Sequence, residues 1–227
     1  MIIKLPKPML KGNMSVEETM ATRRSVREYS ATDTVLTLDE VSQLLWAAYG
    51  VTDSLIKKSK IPDSIRIKNK IPDSVKYKIR KFFLKTAPSA GGLYPLEIYL
   101  VAGNVKGLAP GVYKYRPLGH YLLLIQTGDK RKELCTASYD QQMVGKAPIS
   151  LVYSAVFSRN TKKYEQRGRE RYVCMDLGHS GENVYLQATA LKMGTCAIGS
   201  FEDSDVSKVI NMPKEEEPLY IMPVGRR

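Results

Sequence analysis

A chain of 227 residues, 43% of them apolar, is long and hydrophobic enough to bury one large core or two small ones, which excludes disorder as its resting state. The net charge of +12 points to nucleic acid only until it is localised: residues 57–85 carry 11 Lys or Arg against 2 Asp, so +9 sits in one stretch and +3 in the rest of the chain. No apolar run approaches the ~18 residues that cross a bilayer. The first ten residues, MIIKLPKPML, are broken by proline and lack the core of a signal peptide, so the expected place is the cytoplasm. Cys135, Cys174 and Cys196 lie far apart with no C-x-x-C pair, as in a reducing compartment; they offer no metal cluster and read as buried free thiols.

In chain order, Ser15 with Glu18 and Thr37 with Glu40 are capping boxes that open two helices. The second helix puts Leu38, Val41, Leu45 and Ala48 on one face and ends at Gly50. Between the two boxes, RRSVREY at residues 23–29 supplies three arginines and a serine suited to one anionic phosphate.

The basic stretch holds a near-repeat, IPDSIRIKNK at residues 61–70 and IPDSVKYKIR at residues 71–80. Each copy opens with a Pro-Asp turn and then alternates apolar and basic residues, which predicts two short strands in a basic hairpin or flap. The second copy reads equally as a helix entered at Pro72 with Val75, Ile79, Phe82 and Phe83 on one face. Such a patch steers acidic ligands, or grips nucleic acid with Tyr77, Phe82 and Phe83 as stacking surfaces, or is simply a solvated excursion.

TAPSAGGLYP follows at residues 86–95. Gly91 and Gly92 reach φ > 0 at little cost and let backbone amides approach a flat ring or a phosphate, with the Ser89 hydroxyl beside them. Read alone, it is a tight loop between prolines. Strands are expected at residues 96–102, 112–115, 121–126, 149–157, 195–198 and 219–224, where β-branched and aromatic residues cluster between Gly and Pro. A long helix is expected at residues 170–193, with Val173, Leu177, Val184, Ala188 and Leu191 toward a core and Tyr172, Met175, Leu186 and Met193 on other sides, which asks for several neighbours. Of two histidines, His120 lies in a turn and reads as solvent-facing, and His179 follows Asp176 by three residues, the spacing of a structural contact. No G-x-S-x-G or H-E-x-x-H motif is present.

RRSVREY, APSAGGLYPLEIYLV, RYVCMDLGHSGENVYLQATALKMGTCAIGSF and PLYIMPVGRR, in that order, resemble the FMN-dependent nitroreductase family. More narrowly they look like its SagB-type branch, which contains the flavin oxidases that make thiazoles and oxazoles in peptides. The resemblance spans all but roughly residues 53–85. It implies an α+β, nitroreductase-like FMN-binding fold with a mixed, mainly antiparallel sheet packed with helices. It also implies one domain over residues 1–227 with a basic insertion at 53–85, and an intertwined homodimer sharing two FMN sites. Arg23, Arg24, Ser25 and Arg27 would bind the FMN phosphate and ribityl chain. Ser89, Ala90, Gly91 and Gly92 would reach the flavin of the other subunit, although many nitroreductases have asparagine where this chain has Gly92. Ile198 and Gly199 would bring a backbone amide to the flavin edge. Arg226 and Arg227 match a final phosphate position, or form a basic tail.

Lys163 and Tyr164 resemble the Lys-Tyr pair that SagB-type oxidases place near the flavin, where a phenol beside an ammonium serves as general base. The same dipeptide occurs at residues 76–77 and 114–115, so an exposed polar loop is the competing reading. The first functional reading is a ping-pong, FMN-dependent transfer of hydride from NAD(P)H to nitro- or quinone-like acceptors. The second is an azoline dehydrogenase acting on peptide thiazolines or oxazolines. The third is a non-catalytic binder of acidic partners through residues 57–85. A small-molecule or peptide substrate is expected, with no metal, no membrane and no nucleic acid.

Overall fold

The structure, a computed structural model, describes residues 1–72 and 74–227. Seven strands form one sheet in the order β1-β8-β7-β5-β9-β11-β10. They are β1 (Ile2–Lys4), β5 (Leu96–Ala102), β7 (Gly111–Arg116), β8 (Tyr121–Thr127), β9 (Ile149–Ala155), β10 (Met193–Thr195) and β11 (Glu217–Arg226). Every neighbouring pair in this sheet is antiparallel. A parallel pair, β2 (Leu36–Thr37) with β6 (Val105–Lys106), makes the whole mixed but mainly antiparallel.

Seven helices accompany it: α1 (Val16–Thr22), α2 (Leu38–Tyr49), α4 (Arg131–Ala137), α5 (Gln142–Lys146), α6 (Ser158–Arg167), α7 (Val173–Ala190) and α8 (Asp203–Val209). The central strands β5 and β9 are buried on both faces because each face carries helices. Side chains alternate along β5: Leu96, Ile98, Leu100 and Ala102 meet α2 and α7, whereas Tyr99 and Val101 meet α4 and α8. Each fully buried Leu or Ile there contributes about 1.5–3 kcal/mol, so the two clusters hold the helices in place.

Both capping boxes close as the sequence predicts. Ser15 Oγ accepts from the Glu18 amide at 3.1 Å and Thr37 Oγ1 from the Glu40 amide at 3.2 Å. The long helix is shorter than its apolar pattern: residues 168–172 form a π turn, α7 proper starts at Val173, and Met193 belongs to β10. The strand expected at 195–198 keeps only Thr195, because Ile198 makes an isolated bridge to Ile221 instead.

The basic stretch forms a hairpin, but with different strands from those the repeat suggests. β3 (Val51–Lys60) pairs with β4 (Tyr77–Lys85), and the first copy forms a helix, α3 (Asp63–Lys68), between them. Asp73, in the Pro-Asp start of the second copy, lies outside the described residues. The second copy is strand from Tyr77 because it has β3 to pair with, and the first copy has no such partner. Two further expectations change. His120 is half-buried, its ring bonded to Ser42 Oγ (2.7 Å), Tyr115 Oη (2.8 Å) and the Pro6 carbonyl (3.0 Å), and burial lowers its pKa. Cys174 is exposed, whereas Cys135 and Cys196 are buried.

Candidate functional site

The glycine loop grows directly out of β4. Gly91 and Gly92 both sit at φ +65°, where a Cβ is strained. At Gly91 space adds a second demand. A Cβ there would lie 2.6 Å from Tyr164 Oη and 2.9 Å from Lys163 Nζ. The loop and the Lys-Tyr pair, more than 70 residues apart in sequence, therefore meet, with the phenol and the ammonium at the bare face of the glycine.

Tyr164 is held by an edge contact to Tyr172, ring centroids 4.9 Å apart at 81°, and Lys163 Nζ lies 4.9 Å from the Tyr164 centroid. The next residue, Glu165, has φ 52° and ψ −141° inside α6. Such a conformation costs about 1–3 kcal/mol and concentrates at functional sites. The π turn at 168–172 follows at once, another irregularity found at such sites.

Two side chains fix the loop. Asp176, buried on α7, accepts from Ser89 Oγ at 2.6 Å and from the Ala90 amide at 3.1 Å, and Ser89 Oγ accepts from the Tyr94 amide at 2.9 Å. The Ser89 hydroxyl and Ala90 amide thus serve the loop itself. Asp176, and not a pairing with exposed His179, is what the helix spacing hid. Burial raises the Asp176 pKa against these hydrogen bonds and the nearby His179, which favour the carboxylate. Arg159 of α6 donates to the Tyr94 carbonyl at 2.9 Å and to Glu97 at 2.6 Å, tying the helix that bears Lys163 and Tyr164 to the end of the loop. Burial pushes Glu97 up, but Lys114 and Arg159 outweigh it and hold its pKa below the ordinary value.

Beneath the loop, Lys85 Nζ lies 3.5 Å from the Tyr49 ring centroid and 4.8 Å from that of Tyr94. Burial, opposed by Glu97 and assisted by Arg159, lowers its pKa to about 7. In the unfolded chain a lysine titrates near 10.5. Between those two values the unfolded chain holds more protons, so stability rises with pH across that window. Lys85→Met removes the buried charge. It is expected to raise the melting temperature at pH 7 and to flatten that rise, with about 0.5–2 kcal/mol of lost ring contact offsetting the gain; calorimetry across the window checks this.

The arginine segment lies elsewhere. Residues 25 and 26 run beside β10, with a Ser25–Thr195 bridge and the Val26 amide on the Thr195 carbonyl at 2.9 Å. Tyr185 of α7 joins the segment to residues 197–199: its hydroxyl accepts from the Ala197 amide at 2.7 Å and bonds Ser25 Oγ at 3.2 Å, and Arg23 lies 5.2 Å over its ring. Neither Tyr185 nor Lys85 was singled out by sequence, because their roles depend on contacts between distant segments.

The charges here fit an anion. Arg24 donates to the Ala21 and Arg23 carbonyls, Arg23 comes no nearer than 4.0 Å to Glu182, and Arg27 makes no ion pair among the described residues. Arg226 differs: it donates to Glu40 at 2.8 Å, has Asp33 at 2.9 Å, and is neutralised within the chain. Arg227 is exposed at the end of β11. The Ile198 amide is spent on the Ile221 carbonyl at 2.9 Å, which leaves the exposed Gly199 amide as the open donor of that pair. Three arginines without a close carboxylate, an open amide and a bare glycine loop suit FMN, a phosphate ester with a flat acceptor-edged ring.

Comparisons with known proteins bear on the family and the fold. The sequence profile of the nitroreductase family matches residues 20–226. The chain is 40% identical over 214 residues to MJ1384 of Methanocaldococcus jannaschii, a protein assigned to the nitroreductases, covering 94% of this chain and 92% of that one. It is 31% identical over 144 residues to the microcin B17-processing protein McbC of Escherichia coli, 61% of this chain and 53% of McbC. Among solved structures, a protein from Anabaena variabilis assigned to the nitroreductases superposes with a TM-score of 0.76 at 28% identity, covering 100% of this chain and 41% of that one. With its antiparallel sheet, flanking helices and glycine loop, the chain belongs to the nitroreductase family, a family of oxidoreductases.

Proposed function

We propose that this protein is an FMN-dependent dehydrogenase of heterocyclic rings in peptides. The observation that carries the reading is the meeting of Tyr164 and Lys163 at Gly91. Simple hydride exchange needs no base, whereas turning an azoline into an azole removes a hydride and a proton from adjacent ring atoms. Bound FMN supplies the hydride acceptor. Tyr164 Oη is the group placed to take the proton, with Lys163 Nζ beside it at the same glycine. Arg23 and Arg27 hold the phosphate, and Gly91 and Gly92 leave room for the ring.

A homodimer is supported by the helix that both halves share. Asp176 and Tyr185 are nine residues apart on α7, about 180° around its axis and about 13 Å along it. The loop half and the arginine half of one chain therefore face opposite sides of α7, which favours a site that joins the loop of one protomer to the arginines of its partner. The second reading, reduction of nitro- or quinone-like acceptors by NAD(P)H, is supported by the similarity to MJ1384 along nearly the whole chain.

Titration of the purified protein with FMN is expected to give a yellow complex of about one flavin per chain. Arg27→Ala is expected to weaken it about tenfold or more, the effect of one charge-assisted hydrogen bond. The loaded protein should then convert a synthetic thiazoline peptide to the thiazole, read as the loss of two hydrogens by mass. Turnover of NADPH and quinone with the ring untouched would establish the second reading instead.

A further inference from the structure

The arm made of β3, α3 and β4 is left unused by this chemistry. Among the described residues its strands pair only with each other, so each presents an outer edge of N–H and C=O groups. On one face the register sets Ile56 opposite Lys81, Lys58 opposite Ile79 and Lys60 opposite Tyr77, an alternation of aliphatic and cationic groups across both strands. Lysines alone would be ordinary protection of an exposed edge. The isoleucines are different: Ile56 is 71% and Ile79 68% exposed, and Leu55, Ile65 and Ile67 add to them.

We infer that this arm docks an extended acidic peptide segment, by strand addition to its edge, and leads it toward the site; the second half of this statement rests on the flavoenzyme reading. Three features select that occupant. The open edge matches a peptide backbone, as in other cases of strand addition. The +9 of residues 57–85 matches carboxylates. Aliphatic side chains interleaved with the lysines match a partner carrying apolar groups on the same face as its acids. Single-stranded nucleic acid fits less well. It needs open aromatic platforms, whereas one face of each of the Phe82, Tyr77 and Phe83 rings already has an ammonium over it, Lys57 at 5.7 Å, Lys58 at 4.4 Å and Lys81 at 5.3 Å, and of the three only Tyr77 is exposed. Direction comes from connectivity: β4 ends at Lys85 and the chain enters the Ser89–Gly92 loop within four residues.

The test uses four fluorescein-labelled probes titrated by anisotropy against the FMN-loaded protein. They are a peptide of repeating Glu-Thr-Val-Thr, whose Glu and Val share one strand face, its Lys-Thr-Val-Thr counterpart, the first peptide with alternate backbone nitrogens methylated, and an oligothymidylate. The acidic peptide is expected to bind best, to weaken with salt, and to lose about tenfold in affinity or more in the Lys58→Glu/Lys81→Glu variant, from two reversed charge contacts. Lys58→Arg/Lys81→Arg should keep it, and the methylated peptide should lose as much as the charge reversal costs. Tighter binding of oligothymidylate, equal binding of the basic peptide, or indifference to charge reversal would each overturn the proposal. Visible absorbance of FMN in the same samples reads the other claim separately. A protein that holds FMN and ignores the acidic peptide sinks the docking surface alone, and one that binds the peptide but never FMN sinks the flavin reading alone.

Discussion

Tyr164→Phe is expected to lower ring oxidation about 10²–10⁴-fold, the range lost with a positioned general base, while exchange of hydride between a nicotinamide and the bound flavin persists. The substitution removes only the hydroxyl. The ring keeps its edge contact with Tyr172 and its place beside Gly91, so melting temperature and FMN affinity should scarcely move. Lys163→Met should lose less, because the ammonium assists the phenol and does not itself take the proton. Stopped-flow measurement of flavin reduction by a thiazoline peptide and by NADPH separates the two steps. If both fall together, Tyr164 positions the flavin and is no base. If neither falls, Tyr164 is not the base and the pair belongs to an ordinary surface helix.

Asp176→Ala is expected to release the glycine loop and to destabilise the protein by about 1–3 kcal/mol, the cost of losing two hydrogen bonds to a charged group from part-buried donors. The Ser89 hydroxyl and the Ala90 amide are the groups it strands. For a chain of this length each kcal/mol lowers the melting temperature by about 2–4 °C. FMN affinity should fall with it, since Gly91 no longer stands against Tyr164. Ser89→Ala in the same background should cost less than it does alone, because its bond to Asp176 is already gone and only the Tyr94 amide loses its acceptor. The pH dependence carries a sign. The folded pKa of Asp176 is raised above its ordinary 3.8, so as pH falls the folded state takes up a proton before the unfolded chain does. The burden of the buried charge is therefore fully present at neutral pH and is relieved as pH falls through the folded value toward 3.8. Asp176→Asn, which carries no charge, should cost least at neutral pH and progressively more toward pH 3.8; thermal melts of both proteins across that range would show it.

Local signals in the sequence were sufficient wherever a structure depends on neighbours a few residues away. The two capping boxes close because Ser15 and Glu18, and Thr37 and Glu40, are one turn apart. The strand at 96–102 follows from a cluster of β-branched and aromatic residues between proline and glycine, and the core face of α7 from a period of 3.6 residues. The arginine segment, the glycine loop and the Lys-Tyr pair were each legible as chemistry, because their residue types are unusual for plain scaffolding. Their arrangement was not. Two near-identical decapeptides became a helix and a strand, since only residues 77–85 find β3 across the hairpin. His120 left the solvent because residues 6, 42 and 115 surround it.

By itself, then, the amino-acid order determined the capped helix starts and the strand at 96–102, and it marked which segments carry groups of a type suited to a phosphate, a flat ring or a proton. Tertiary structure alone decided that the Ser89 hydroxyl and the Ile198 amide are consumed internally, that Arg226 is neutralised by Glu40 and Asp33, and that Tyr164 meets Gly91. The reason is physical. A propensity or a cap is settled within one turn of chain, whereas whether a donor is free depends on which distant acceptor packing brings within about 3 Å.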